Sequence, residues 1–301
     1  MRRIKLKVSY ATAVMLGIKK GKLNFEMPTA YLMVGEKCIY NCSFCSQARE
    51  AQGNNDHLSR ITWPNINYEK FIEKFDSTKF KRVCLQVVSS VGYEEELKLL
   101  LEYLKSKDIL VSVSIRPKNE EEVENLFNNY NIDNMGISTD VPEKNLFEKI
   151  RGTKYDKHME ILINSSKKFL HKVTTHVIVG LGETDLDIVK FILRMKKNMI
   201  NVSLFAFTPI KGTKFENKET PSLERYRKIQ YAKEIIDNYK VKIEEFIFDE
   251  KGNLKELPGY NIDKEEAIKT SGCTWCNRPY YNDSPNKTFY NIPKVRTFKE
   301  G

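Results

Sequence analysis

The chain has 301 residues, 41% of them hydrophobic, and 50 Lys and Arg stand against 40 Asp and Glu, a net charge of +10. This apolar content and the lack of long polar tracts exclude a disordered chain, and no apolar run nears the ~18 residues of a membrane-spanning helix. The lysines are scattered and accompany no nucleic-acid motif, so the charge reflects either a lysine-rich proteome or an acidic protein partner.

The opening "MRRIKLKVSYATAVMLGI" faintly imitates a signal peptide. Lys19, Lys20 and Lys22 follow where a small-residue cleavage site would stand, so the stretch is predicted as a short amphipathic helix without export. Short apolar runs then recur at residues 30–35, 82–88, 109–115, 134–139, 172–180 and 201–207, and each reads as a strand. Helical patterns fill the gaps at 94–107, 120–128, 155–169 and 184–197, and Asp185 and Asp187 suit the first turn of the last. Alternation at this spacing implies parallel strands with crossover helices, hence an α/β fold. Six such units predict a partial (β/α)6 barrel rather than a closed eight-unit one. Beyond Phe207 the pattern changes to a loop, an amphipathic helix capped by Ser222, a β-hairpin turning at Lys251-Gly252-Asn253, and a short helix from Asp263. The division expected is an N-terminal extension over 1–26, a barrel over 27–215 and a cysteine-bearing extension over 216–301.

Three of the six cysteines, Cys38, Cys42 and Cys45, crowd into "EKCIYNCSFCSQ". Without an export signal a reducing cytosol is expected, where clustered thiols read as metal or redox groups rather than disulfides. Their C-x3-C-x2-C spacing follows the first strand of the barrel, so they lie on a loop over one mouth. A zinc site normally takes four ligands in two pairs. Three thiolates suit a 4Fe–4S cluster with one iron left open, and Phe44 helps to shield it. Cys273 and Cys276 form a separate C-x2-C, which alone is compatible with a redox pair, half a zinc site or cluster ligands. Cys84 lies in "RVCLQVV", where alternation puts Cys84, Gln86 and Val88 on one face and Val83, Leu85 and Val87 on the other. Gln86 marks the Cys84 face as the lumenal one, although a small buried hydrophobe is the usual fate of a strand cysteine.

The trio with its aromatic resembles the signature of the radical S-adenosylmethionine (radical SAM) superfamily. "VIVGLGET" is similar to that superfamily's adenine-contacting pattern, and six βα units match its partial barrel. The resemblance implies a cluster on Cys38, Cys42 and Cys45 whose free iron chelates SAM. It also implies reductive cleavage of SAM to a 5′-deoxyadenosyl radical that abstracts hydrogen from an unactivated carbon. Gly180 and Gly182 suit close backbone approach to a flat ligand, and Glu183 completes the pattern. Arg116, Ser138 and Asp140, at strand ends on the same mouth, are candidate contacts to SAM or substrate.

Longer stretches, "LSRITWP", "RVCLQVV", "TTHVIVGLGET", "LFAFTPIKGT" and "CNRPYYN", resemble biotin-synthase-related proteins. Biotin synthase carries an auxiliary-cluster cysteine at the place of Cys84. The resemblance implies that, with the tail folded over the mouth, Cys84, Cys273 and Cys276 share a second cluster, its fourth ligand being Ser271 or Arg278. The group includes the two components of the archaeal-type lipoyl synthase, which insert sulfur into a protein-bound octanoyl chain with the auxiliary cluster as proposed donor. The function implied is a sulfurtransferase of this kind. Its implied partners are an octanoylated lipoyl domain or glycine-cleavage H protein, a second component, and an electron donor such as ferredoxin. A basic enzyme would be steered toward an acidic carrier. Tyr280, Tyr281, Phe289 and Tyr290 are candidates to line an acyl channel or to pin the tail. A related enzyme acting on a free small molecule and a non-catalytic iron–sulfur or zinc scaffold are the competing readings. Trp275 is bulkier than the group leads one to expect between the tail cysteines.

Overall fold

The computed structural model describes residues 5–23, 26–58, 61–278 and 287–294. The strands are β1 (Lys5–Val8), β2 (Thr29–Val34), β3 (His57–Leu58), β4 (Ile61–Thr62), β5 (Asn65–Asn67), β6 (Arg82–Val87), β7 (Leu110–Ile115), β8 (Ile132–Ile137), β9 (Val173–Val179), β10 (Asn201–Ala206), β11 (Ile247–Phe248) and β12 (Leu254–Glu256). The helices are α1 (Tyr10–Met15), α2 (Tyr68–Lys74), α3 (Tyr93–Lys105), α4 (Glu120–Asn129), α5 (Lys144–Arg151), α6 (Tyr155–Lys168), α7 (Asp185–Lys197), α8 (Leu223–Asn238) and α9 (Lys264–Ala267).

One sheet runs in the order β10-β9-β8-β7-β6-β2-β1-β5. The six strands from β2 to β10 pair in parallel, as the alternating pattern predicts for a partial barrel. The sheet continues past β2 through β1, which is antiparallel to both β2 and β5. The first four described residues, 5–8, therefore correct the helix expected there. Lys5-Leu6-Lys7-Val8 alternates with the period of a strand, burying Leu6 and Val8, and only Tyr10–Met15, capped by the Ser9 side chain, is helical. Lys7 is buried on the other face, where its ammonium meets the Asn55 carbonyl and Asp56.

Outward strand residues such as Val83, Leu85, Val111 and Val113 join the helices in one large core. Lumenal ones form a second cluster of Met27, Tyr31, Met33, Trp63, Cys84 and Val88. Cys84 and Val88 thus face the barrel interior, as the alternation of β6 requires. Two helices that sequence pattern did not mark, α2 and α5, are short and polar-rich, with side-chain caps from Asn67 and Glu143. Among the described residues no helix is long and apolar enough to cross a membrane.

Candidate active site: two thiol sets in one barrel

The loop after β2 carries Cys38, Cys42 and Cys45. It is folded on itself by backbone bonds from Cys38 N to Gln47 O (2.9 Å) and Cys45 N to Cys42 O (3.2 Å), and joined to its neighbours by Ile39 N to Ser89 O (2.8 Å) and Ser43 N to Ile150 O (2.9 Å). All three thiols line a cavity of about 220 Å³ that descends into the lumen. Burial raises the Cys38 pKa and pushes that of Cys45 up to about 12, and Cys42 raises both further. Arg116 stacks on the Tyr40 ring at 3.7 Å, bonds Thr153 and approaches Cys42 Sγ at 4.0 Å. Burial and the nearby Arg151 lower the Arg116 pKa.

The cavity wall also holds Phe44, Ser138, Asp140, Arg151, Gln86, His176, Phe205 and Arg278. Asp140 lies three residues beyond β8, bridged to Val177, in the left-handed region (φ 62°), a conformation that Asp tolerates better than most residues. Its carboxylate pairs with Arg151 at 2.7 Å, and that guanidinium also donates to the carbonyls of Ser138 and Thr139. Burial raises the Asp140 pKa against the opposing pull of Arg151. The Ser138 hydroxyl lies 2.7 Å from Nδ1 of His176, whose pKa burial lowers to about 3. His176 therefore stays neutral.

The structure gathers Phe44, Arg116, Ser138 and Asp140 around the trio. Gly180, Gly182 and Glu183 do not line this cavity. The Glu183 carboxylate turns back to accept from Gly180 N (2.7 Å) and Leu181 N (2.9 Å) and is paired with Arg225 (3.1 Å), which stiffens the β9–α7 turn. His176 and Arg151 are the wall residues that sequence reading missed. Alternation along β9 puts His176 on the lumenal face with Thr174 and Ile178, a signal that was available; Arg151 lies at the end of the unmarked helix α5.

The tail lies elsewhere than expected. Instead of covering the mouth, residues 271–278 close the opposite end of the barrel. Thr29 Oγ1, at the start of β2, donates to Trp275 O (2.8 Å), and Arg82 Nη1, at the start of β6, donates to Thr274 O (3.0 Å). Asn201 Nδ2, at the start of β10, donates to Gly272 O (3.1 Å). Strand-start side chains satisfy the tail's carbonyls, and Arg82 also pairs with Asp133 and lies 5.6 Å from the Trp275 ring. Trp275 itself sits in the left-handed region (φ 65°).

Even so, the tail brings Cys273 and Cys276 to Cys84. The neighbouring Cys276 raises the Cys273 pKa, and Cys273 in turn lowers that of Cys276. Burial, then the charge of Cys273, pushes the Cys84 pKa up to about 11, and Ser112 is its register partner on β7. Gln86 Nε2 donates to Cys84 Sγ (3.0 Å), so Gln86 separates this thiol from the cavity above. Arg82 and Arg278 lie near enough to favour the thiolates. Of the tail aromatics, Tyr280 and Tyr281 lie outside the described residues. Tyr290 packs edge-on against Tyr226 and donates to Pro221 O (2.5 Å), a pinning role.

The family model of the radical SAM superfamily matches residues 32–195, more than half of the chain. The chain belongs to the radical SAM superfamily. It is 25% identical over 214 residues to an uncharacterized protein of Methanocaldococcus jannaschii, covering 69% of this chain and 55% of that one. It is also 25% identical over 185 residues to biotin synthase of Clostridium tetani, covering 60% and 56%. The chain thus spans a little over half the length of the curated relatives it matches. Among solved structures it is similar in fold to methylornithine synthase (TM-score 0.52, 15% identity, 74% of this chain and 66% of that one). Streptococcus suis SuiB bound to its precursor peptide SuiA gives TM-score 0.54 at 15% identity, covering 75% and 49%.

Membership of this radical SAM family implies a 4Fe–4S cluster and SAM, and the upper thiol set suits such a cluster. Soft thiolate donors favour iron–sulfur binding, the charge of Cys42 raises the pKa of both Cys38 and Cys45, and Arg116 lies beside Cys42 as a compensating cation. Among the described residues, no three His, Cys, Asp or Glu side chains close on a point that one metal ion would occupy.

Proposed function

We propose that this radical SAM protein is a sulfur-inserting enzyme, one component of a two-protein lipoyl synthase that acts on an octanoyl chain attached to a carrier protein. The observation that carries the reading is the pair of thiol sets at opposite ends of one lumen, with a cavity between them. When bound, the family's cluster and SAM supply a deoxyadenosyl radical that removes hydrogen from an unactivated carbon. Cys38, Cys42 and Cys45 hold that cluster. Arg116, Ser138 and Asp140 offer polar contacts to SAM, and Phe44 and Tyr40 keep water from the mouth. Cys84, Cys273 and Cys276 hold a second cluster as the source of sulfur. Arg278 is the better candidate for its fourth ligand, because the Ser271 hydroxyl already accepts from Leu204 N (3.2 Å).

Several features support an acyl substrate on a carrier. Met33, Leu58, Val88, Ile178 and Phe207 give the cavity an apolar wall of the kind an alkyl chain would pack against. The net charge of +10 suits an acidic carrier. A curated relative is named biotin synthase. A second reading, a related enzyme acting on a free polar small molecule, is favoured by one specific observation: Gln86, Ser114, Ser138, His176 and Arg278 put a polar band across the same lumen.

The test is anaerobic incubation of the reduced, cluster-loaded protein with SAM and octanoylated H protein, with and without a second component. Expected are deoxyadenosine and a carrier heavier by the mass of inserted sulfur. Deoxyadenosine without sulfur on the carrier favours the second reading. Absence of deoxyadenosine under a strong reductant removes both.

A further inference from the structure

Strand β1 lies outside the thiol-bearing loop, yet its Lys7 is only 4% exposed. Register pairs Lys7 with Met33, so it faces the lumenal side of the sheet beside a residue of the cavity wall. There its ammonium donates to the Asn55 carbonyl (2.7 Å) and pairs with Asp56 (3.2 Å). The same Asn55 carbonyl accepts from Nε2 of Gln47 (2.8 Å), which also donates to His57 O (2.9 Å). Ser46 Oγ donates to His57 O as well (2.6 Å). Both partners of Nε2 are carbonyls, and only the nitrogen of an amide can donate to them, so the Gln47 side chain has one orientation. Gln47 is 3% exposed, and its Oε1 is buried without a partner among the described residues. An unpaired buried acceptor is costly, so the amide is not explained by its own hydrogen bonding. The Gln47 main chain meets two of the three upper thiol residues. Cys38 N donates to Gln47 O (2.9 Å). Burial and the charge of Cys42 raise the Cys45 pKa, and the Gln47 N–H opposes them, so this N–H is directed at the Cys45 sulfur.

We propose that Gln47 is the positioning residue of the upper thiol set: its side chain is tied to the segment over 54–57, which Lys7 of β1 holds in place, and its main chain sets Cys38 and Cys45 around a cluster. The inference rests on family membership and the upper thiol set, and is independent of sulfur insertion. Two features separate this role from ordinary packing. Each carbonyl that Gln47 binds has a second donor, Lys7 for Asn55 and Ser46 for His57. Loss of Nε2 therefore orphans neither carbonyl, and loss of Oε1 removes an unpaired acceptor, so the fold gives up little. The cysteine loop gives up more. Gln47 is where that loop closes on itself, through Cys38 N, and where it is tied to the strand added beyond β2, through Asn55 O and Lys7. Groups that orient metal ligands from outside matter to metal retention nearly as much as the ligands do.

The experiment follows retention of the upper cluster. Anaerobically reconstituted protein is incubated with an iron chelator, and aliquots are reduced with dithionite and frozen at once with and without SAM. The part of the electron paramagnetic resonance signal that SAM alters reports the upper cluster, whose open iron the family uses to bind SAM. Gln47→Met is expected to lose this signal at least about 10-fold faster than wild type. The urea midpoint of its iron-free protein is expected to stay within about 0.3 M of wild type. Lys7→Met alone is expected to speed the loss about 3-fold, and to add less than about 1.5-fold on the Gln47→Met background, since its effect reaches the loop through Gln47. The proposal is overturned if Gln47→Met keeps the wild-type rate, if its iron-free urea midpoint falls outside that range, or if Lys7→Met multiplies in full with Gln47→Met. A wild-type protein with no SAM-altered signal refutes the upper thiol set instead.

Discussion

Replacing Arg151 with Met tests whether the wall of the cavity is held by charge. The pair with Asp140 is 2.7 Å long, and its two side chains are only 5% and 13% exposed. Met keeps much of the packing against Phe147, whose ring lies 5.3 Å from the guanidinium, but removes the cation and its donors to Ser138 O and Thr139 O. Breaking a buried pair on one side costs about 3–5 kcal/mol, because the other charge stays buried and unpaired. Asp140 can escape part of this by keeping a proton. Its pKa is already raised by burial, and Arg151 is the main force opposing that rise. In the variant the folded state would therefore bind a proton that the unfolded chain has released above the ordinary pKa of about 3.9. Stability relative to wild type then falls as pH rises, by at most about 1.4 kcal/mol per pH unit, until Asp140 ionises in the folded state too. Urea denaturation at several pH values between 5 and 8 measures this. Adding Asp140→Asn to the variant removes the charge while keeping a residue that tolerates the left-handed backbone, so the double variant is expected to be more stable than Arg151→Met alone at pH 8. A loss below about 1 kcal/mol, a deficit independent of pH, or simple additivity in the double variant would refute the reasoning.

Cys84→Ala is expected to lower iron after anaerobic reconstitution from about eight to about four per chain while leaving SAM cleavage measurable, as follows if Cys84 holds a second 4Fe–4S cluster; unchanged iron makes it a core residue. His176→Gln is expected to flatten the acid limb of the stability profile. The folded-state pKa near 3 means that the unfolded chain alone binds this proton between about 6.5 and 3, so wild type loses up to about 1.4 kcal/mol per pH unit as pH falls through that window. Because Asp133, Asp140 and Glu183 have raised pKa values and oppose this trend, the readout is the difference between wild-type and variant slopes. Gly212→Ala is expected to cost more than about 1 kcal/mol, since the residue has positive φ and meets the Gly53 backbone; it should also speed iron loss to a chelator, and normal retention would show that this backbone contact does not matter.

Much of the barrel was legible because its signals are local. Strand runs bounded by turn residues, helices with acidic first turns, and the Ser222 cap reappear within a residue or two of their predicted ends. The N-terminal strand was misread because its basic residues suggested an amphipathic helix, when Leu6 and Val8 alternate with a buried lysine. The upper site was legible for a similar reason: three thiols within eight residues have to share one loop. Arg151 was not, since its partner Asp140 comes from the preceding strand end and only the fold turns that helix terminus toward it.

The lower thiol set shows where local reading stops. Alternation along β6 establishes that Cys84 faces the lumen, and this holds whichever end the tail enters. What decides the end is a set of single polar side chains, Thr29, Arg82 and Asn201, each at the first residue of a parallel strand and each donating to a tail carbonyl. A carbonyl partly buried at the base of a barrel costs free energy unless a donor meets it, so Thr29 and Arg82 favour the tail's place at the base, and Asn201 adds an exposed bond. The two thiol sets consequently face each other along the lumen, with Gln86 donating to Cys84 between the lower set and the cavity. A lid over the mouth would have put both sets on one side of the substrate. On the proposed reading, a plug at the base puts the substrate's path between them, so that an acyl chain entering from the mouth would pass the upper set first and present its far end to the lower.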